Sequence, residues 1–204
     1  MRKQAYHHGN LREALVEAGL SLARTGGPRA VVLRAVSREA GVSHNAAYRH
    51  FSDHEALVAT VAERCMENLG ELMTERLSAV PALRPAPRAV ARLEALGRAY
   101  VDFARTEPGW FQTAFSASAS SGDKRTLPVT APAPHPYLLL TACLDELVQA
   151  SVIPEERRPG AEYAAWSAVH GLSHLITDGP LRSLPEPEIQ LAVSTTLSVI
   201  SRGL

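Results

Sequence analysis

The stretch GVSHNAAYRHF, residues 41–51, sets a Ser, an Asn, a Tyr, an Arg and two His within eleven positions. If a helix opens after Ser43, then His44, Asn45, Tyr48 and Arg49 share one face at spacings of three and four, and Ala47 and Phe51 share another. The chemistry this set can do is directional hydrogen bonding. An Asn can bond adenine N7 and N6 together, and the methyl of Ala46 can touch a thymine methyl. Tyr48, Arg49 and His50 offer donors to phosphate oxygens, which set position rather than sequence. A helix lying in a major groove reads base edges with its first residues, here His44, Asn45 and Ala46. The alternative is a solvated helix face, and the elements on either side weigh against it.

Those elements are helical, because the apolar residues recur at three and four and strand signals are weak. Asn10 with Glu13 predicts a capping box opening a first helix, which carries Leu11, Ala14, Leu15, Ala18 and Leu22 and stops at Gly26-Gly27-Pro28. A second helix is predicted over Leu33 to Ala40, with Leu33, Val36 and Ala40 inward and Arg34 and Arg38 sharing the outer face. Gly41 suits the left-handed turn that follows, and Ser43 caps a third helix ending near Phe51. Joined by AGVS, these two helices make a helix-turn-helix pattern. Ser52 with Glu55 reads as a second capping box, starting a long fourth helix that ends before Pro81.

PALRPAP (81–87) reads as a Pro-rich joint. A fifth helix carries Val90, Leu93, Leu96, Tyr100 and Phe103, and EPGWFQTAF opens a short sixth with Pro108 in its first turn. The low-complexity run SASASSGDKRTLPVTAPAP (116–134) is expected to be a surface loop. Three more helices, around 136–151, 160–179 and 185–202, bring the count to about nine in an all-α chain.

Composition narrows the partners. The 204 residues carry no net charge, but residues 1–54 hold eight Arg or Lys against four Asp or Glu, and five of the eight His. An anionic partner therefore meets the N-terminal quarter. Cys65 and Cys143 lie on apolar stripes without C-x-x-C spacing, which suits reduced thiols in the cytoplasm; a redox pair is the alternative. No apolar run approaches a membrane span, and the N-terminus lacks the apolar core of a signal peptide.

LRAVSREAGVSHNAAYRHFSDHEAL resembles the DNA-binding domain of TetR-type transcriptional regulators, whose signature runs A-G-V-S, then Tyr-x-His-Phe, then Glu-x-Leu. YHHGNLREAL is similar to the opening helix of a branch of that family. WSAVHGLSHL (166–175) resembles the Trp-x-x-x-His-Gly element of one class of its C-terminal domains. The resemblance implies a three-helix DNA-binding domain over 1–55, with the helix-turn-helix at about 32–51, and a helical ligand-binding and dimerisation domain over 56–204. It implies that Tyr48 and His50 meet the DNA backbone, that Phe51 is structural, and that position 54 meets a phosphate. The family usually has Lys there and this chain has His54, so a fixed charge is lost and the contact weakens as pH rises. Asn45 stands where a small residue is common and marks a distinct base preference. Ser37 and Ala47 stand where Ala and Leu are commoner, implying looser packing. Val32 replaces the usual Ser or Thr cap, so helix two begins less firmly.

Other constellations are weighed in the same way. Arg2, Lys3, Tyr6, His7 and His8 read as an N-terminal arm along phosphate, or as an arm that touches nothing. Adjacent His do not converge on one ion, so no metal is expected. Ser43, Arg34 and Lys3 complete the DNA-binding set. Trp166, His170 and His174 recur at four and line either a core face or the wall of an effector pocket, with Tyr100, Phe103, Trp110 and Phe111. On the last helix Ile189, Ala192, Val193, Thr196, Leu197 and Ile200 make a broad apolar face. The resemblance implies that the last two helices pair with their copies as a homodimer; packing within one chain is the alternative.

No catalytic motif and no cofactor site emerge. An enzyme with dispersed residues and a purely helical interaction module remain as other classes, and DNA binding separates all three. The expected partners are a pseudo-palindromic double-stranded operator, a small-molecule effector and a second copy, with no membrane.

Overall fold

The computed structural model describes residues 11–120 and 134–203. Over these residues it is all-helical, in nine α-helices and two short 3-10 turns. The helices are α1 (Leu11–Gly26), α2 (Leu33–Glu39), α3 (His44–Tyr48), α4 (His54–Ser78), α5 (Pro85–Thr106), α6 (Pro108–Ser120), α7 (Pro136–Gln149), α8 (Ala161–Thr177) and α9 (Glu186–Gly203). No helix among the described residues is long and apolar enough to cross a membrane. Asn10, Lys3 and the rest of the N-terminal arm lie outside the described residues, as does the stretch 121–133.

Packing divides the chain into two compact units. The first holds the described residues up to Met66 together with those from Glu107 onward in α6; the second holds Glu67–Thr106 and the described residues from 134 onward. α4 contributes to both. In the first unit α1 packs against α2 and α6, and α2 against α3. Leu15, Val16, Val31, Val36, Ala47, Phe51, Leu57 and Val61 close its core. Gly41 has φ +68° and open space around it, so conformation rather than crowding calls for glycine at this turn. The turn is closed by the Val42 N–H donating to the Ser37 carbonyl at 2.9 Å.

In the second unit α5 is central and packs against α7, α8 and α9. Leu93, Leu96, Leu144, Leu147, Val169 and Ile176 are buried there. Arg158 binds both Asp145 and Glu162 at 2.7 Å, and Arg92 binds Glu146 at 2.7 Å, so partly buried charges are paired.

Several boundaries differ from the sequence expectation. α4 is capped by Asp53, not Ser52: Asp53 Oδ1 accepts the Ala56 N–H at 2.8 Å, while the Ser52 hydroxyl donates to Asp53 Oδ2 at 2.9 Å and orients the cap. Those hydrogen bonds hold the Asp53 carboxyl below its ordinary value. α5 begins at Pro85, so the last three residues of the expected joint are helix; proline is tolerated in a first turn, whose N–H groups have no intrahelical acceptor. α6 runs to Ser120 and takes in the start of the expected loop. α3 stops at Tyr48, three residues before Phe51. On the last helix the expected apolar face is buried or half-buried, with Ile189, Val193 and Leu197 in the core, while Leu191 and Val199, outside that face, are exposed.

Candidate nucleic-acid interface

The sequence around residue 43 builds an exposed polar face on a buried support. Ser43 has extended backbone, and its hydroxyl accepts the Ala46 N–H at 3.3 Å, starting α3. Ala47 is fully buried and Phe51 is 2 % exposed, which fixes the back of the helix. His44, Asn45, Tyr48 and Arg49 are exposed together, with Tyr48 at 50 %, while Ala46 and His50 are half-buried at the edge. His44 and Tyr48 meet edge to face with ring centroids 4.7 Å apart, so each restricts the other. His54 is exposed at the first position of α4, where unpaired N–H groups favour an oxyanion, although the Asp53 carboxylate beside it opposes one.

Charge separates this face from the rest of the unit. Arg24 pairs with Glu107, and Arg64 bridges Glu13 and Glu17. Arg12 donates to Thr60 at 3.3 Å and lies over the Phe51 ring at 5.2 Å. Arg34, Arg38 and Arg49 are exposed on α2 and beside α3 and have no carboxylate in ion-pair range among the described residues. Val32 precedes α2 with no side-chain cap, as its type implies. Ser37 is buried and satisfied by donating to the Leu33 carbonyl at 2.6 Å. The N-terminal element that sequence reasoning missed is Arg12, whose cation–π contact no linear spacing announces.

The residues expected to line an effector pocket fall in two places. Trp110 and Phe111 belong to α6 in the first unit; the Trp110 indole donates to the Leu20 carbonyl at 2.9 Å, and Phe111 is buried against Phe115. Tyr100, Phe103, Trp166, His170 and His174 belong to the second unit. Phe103 is buried. The Trp166 indole N–H, which can only donate, reaches the Tyr100 oxygen at 3.2 Å. The Tyr100 hydroxyl and His170 Nδ1 share a hydrogen bond at 2.7 Å. His174 meets His170 edge to face at 4.7 Å. Tyr137, which sequence spacing did not single out, meets Trp166 at 6.2 Å.

Burial, and then the neighbouring His174, push the His170 value below the ordinary 6.5. The unfolded chain therefore takes up a proton before the folded one as pH falls, so stability is full above pH 6.5 and declines below it. Thermal melts should show this loss below pH 6.5 and a smaller one in His170→Gln; equal acid loss in both proteins would contradict the assignment.

Two family models match the sequence. One, described as bacterial regulatory proteins of the tetR family, matches residues 15–61; the other, a tetracyclin repressor-like C-terminal domain, matches residues 93–197. No curated protein matches. Among solved structures, a protein of unknown function from Rhodococcus sp. RHA1 is 27% identical with a TM-score of 0.70, covering 99% of each chain. A TetR family transcription regulator from Marinobacter aquaeolei VT8 is 17% identical with a TM-score of 0.64, covering 93% of this chain and 95% of that one. The SmeT–triclosan complex is 17% identical with a TM-score of 0.56, covering 93% and 90%. The helix-turn-helix built on Ala47 and Phe51, joined to a helical body whose model spans more than half of the chain, places this protein in the TetR family of DNA-binding transcription regulators.

Proposed function

We propose that the protein is a dimeric repressor that holds a pseudo-palindromic operator and releases it when a small-molecule effector binds its helical body. The observation that carries this reading is the exposed face of His44, Asn45, Tyr48 and Arg49, flanked by arginines that have no carboxylate partner among the described residues. Two copies of α3 would enter successive major grooves about 34 Å apart. His44, Asn45 and Ala46 would meet base edges. Tyr48, Arg49, His50, His54, Arg34 and the arm with Lys3 would meet phosphate. Residues 1–55 would do the binding, and 56–204 the sensing and pairing, in the cytoplasm. Burial raises the Cys65 thiol to about 12 and the Cys143 thiol to about 11, so both stay unreactive there.

Pairing through α8 and α9 is supported by the apolar side chains these helices expose: Tyr163, Leu175, Leu191 and Val199. Gly171 adds to this. A Cβ there would meet nothing within 4 Å, so nothing among the described residues calls for glycine mid-helix, whereas close approach by a partner helix would. Gly171→Trp should shift sedimentation from dimer to monomer; an unchanged dimer would move the interface elsewhere.

The effector is proposed to sit against Tyr100, Phe103, Trp166, His170 and His174 of the second unit, and the SmeT–triclosan complex is a precedent for a small molecule bound on this fold. An effector acts only by favouring the arrangement that cannot hold DNA, here through a tilt of α4 that changes the spacing of the two reading heads. Identical head spacing with and without inducer would contradict this.

Asn45→Ala should lose about 1–3 kcal/mol of discrimination at one base position, read by binding to a set of single-base operator variants. Tyr48→Phe should weaken specific and random duplex alike. Unchanged preference at every position in the first variant, or selective loss in the second, would remove those roles.

A further inference from the structure

In the second unit, the end of α4, the chain that follows it and α5 enclose a surface concavity of about 300 Å³. This is the lower end of the ~300–1,000 Å³ range of small-molecule sites, so only a compact ligand fits. Its apolar floor is Val80 and Pro81 on one side and Ala95 and Ala99 on the other, while Arg76, Arg98 and Asp102 supply charge. None of the Tyr100, Trp166 and His170 network lines it.

Arg98 and Asp102 are partly buried, and Arg76 is exposed at the edge of the concavity. Arg92, Arg105 and Arg158 each hold a carboxylate. Arg98 instead donates to the Ser194 hydroxyl at 3.2 Å. Neither Arg76 nor Asp102 has an ion-pair partner among the described residues, although both line the same small space as Arg98. Two guanidiniums against one carboxylate leave one net positive charge, which a monoanion neutralises. A planar carboxylate suits guanidinium donors, and its single charge is tolerated beside Asp102 better than a phosphate dianion.

We propose that this concavity is a binding site for a small amphiphilic carboxylate. Its oxyanion lies between Arg76 and Arg98, and its short apolar body lies on Val80, Pro81, Ala95 and Ala99. The ligand bridges residues of α4 and α5 and gives the regulator an input separate from the effector site proposed above.

The test is a titration of the full chain at neutral pH with octanoate, followed by the amide NMR shifts of Val80, Ala95 and Ala99. Octan-1-ol serves as the uncharged control and octyl phosphate as the dianion. Octanoate should give saturable shifts at these amides, with both controls weaker by about tenfold. Arg76→Gln combined with Arg98→Gln should weaken octanoate by about tenfold. Ala95→Trp, which fills the space and leaves both guanidiniums in place, should abolish binding. Absence of saturable shifts at these three amides, equal binding of octan-1-ol, or unchanged octanoate affinity in either variant would overturn the proposal. Tighter binding of octyl phosphate than of octanoate would overturn the choice of a carboxylate.

Discussion

Burial of Ala47 and Phe51 is the constraint on which the reading surface rests. α3 has only five residues, and isolated helices shorter than about 12 residues are marginal in water. It persists because its inner side closes a core shared with α1, α2 and α4, through residues such as Leu15, Val36 and Leu57. The Ser43 cap and the left-handed Gly41 then set where the helix starts and which side faces out. With the back fixed, the outward direction of His44, Asn45, Tyr48 and Arg49 follows from helical geometry alone.

Electrostatic engagement divides the same unit. Arg12, Arg24 and Arg64 are held by side chains of the unit and brace its helices. Arg34, Arg38 and Arg49 are left to solvent around the exposed face. Exposed ion pairs add little stability, so this division matters for what the surface can bind more than for how firmly the unit folds. In the second unit the pattern is inward: Arg158 satisfies two carboxylates, and the Trp166, Tyr100 and His170 chain satisfies a buried hydroxyl. No buried side-chain nitrogen or oxygen among the described residues lacks a hydrogen-bond partner. Cores of this kind can rearrange between discrete packings, which is what a switch requires.

Much of the fold was legible because it rests on local signals. Helical periodicity, the Gly41 turn, the Ser43 cap and Pro108 placed α1, α2, α3 and α6, and the all-α class follows from them. The errors are also local. Ser52 and Asp53 are adjacent cap formers, and only the hydrogen bond from Ala56 chooses between them. Pro85 and Pro87 read as a break, yet proline is tolerated in a first turn. Trp166, His170 and His174 could be aligned by spacing, but their link to Tyr100 joins residues 66 and 70 positions apart. The Arg12 contact with Phe51 and the Tyr137 contact with Trp166 were hidden for the same reason: they depend on tertiary packing, for which linear spacing carries no signal.

The central claim is that the α3 face reads a specific duplex. It is tested most directly by fluorescence anisotropy of the purified protein on the DNA immediately upstream of its own gene. Random duplex of equal length serves as the control, and both are titrated across salt concentration. The account predicts tight binding to the upstream duplex, weak binding to the random one, and a steep loss of affinity with salt as phosphate contacts release counterions. Equal, weak binding to every duplex tried, operator candidates from elsewhere in the genome included, would mean that the His44 to Arg49 face is only solvated surface.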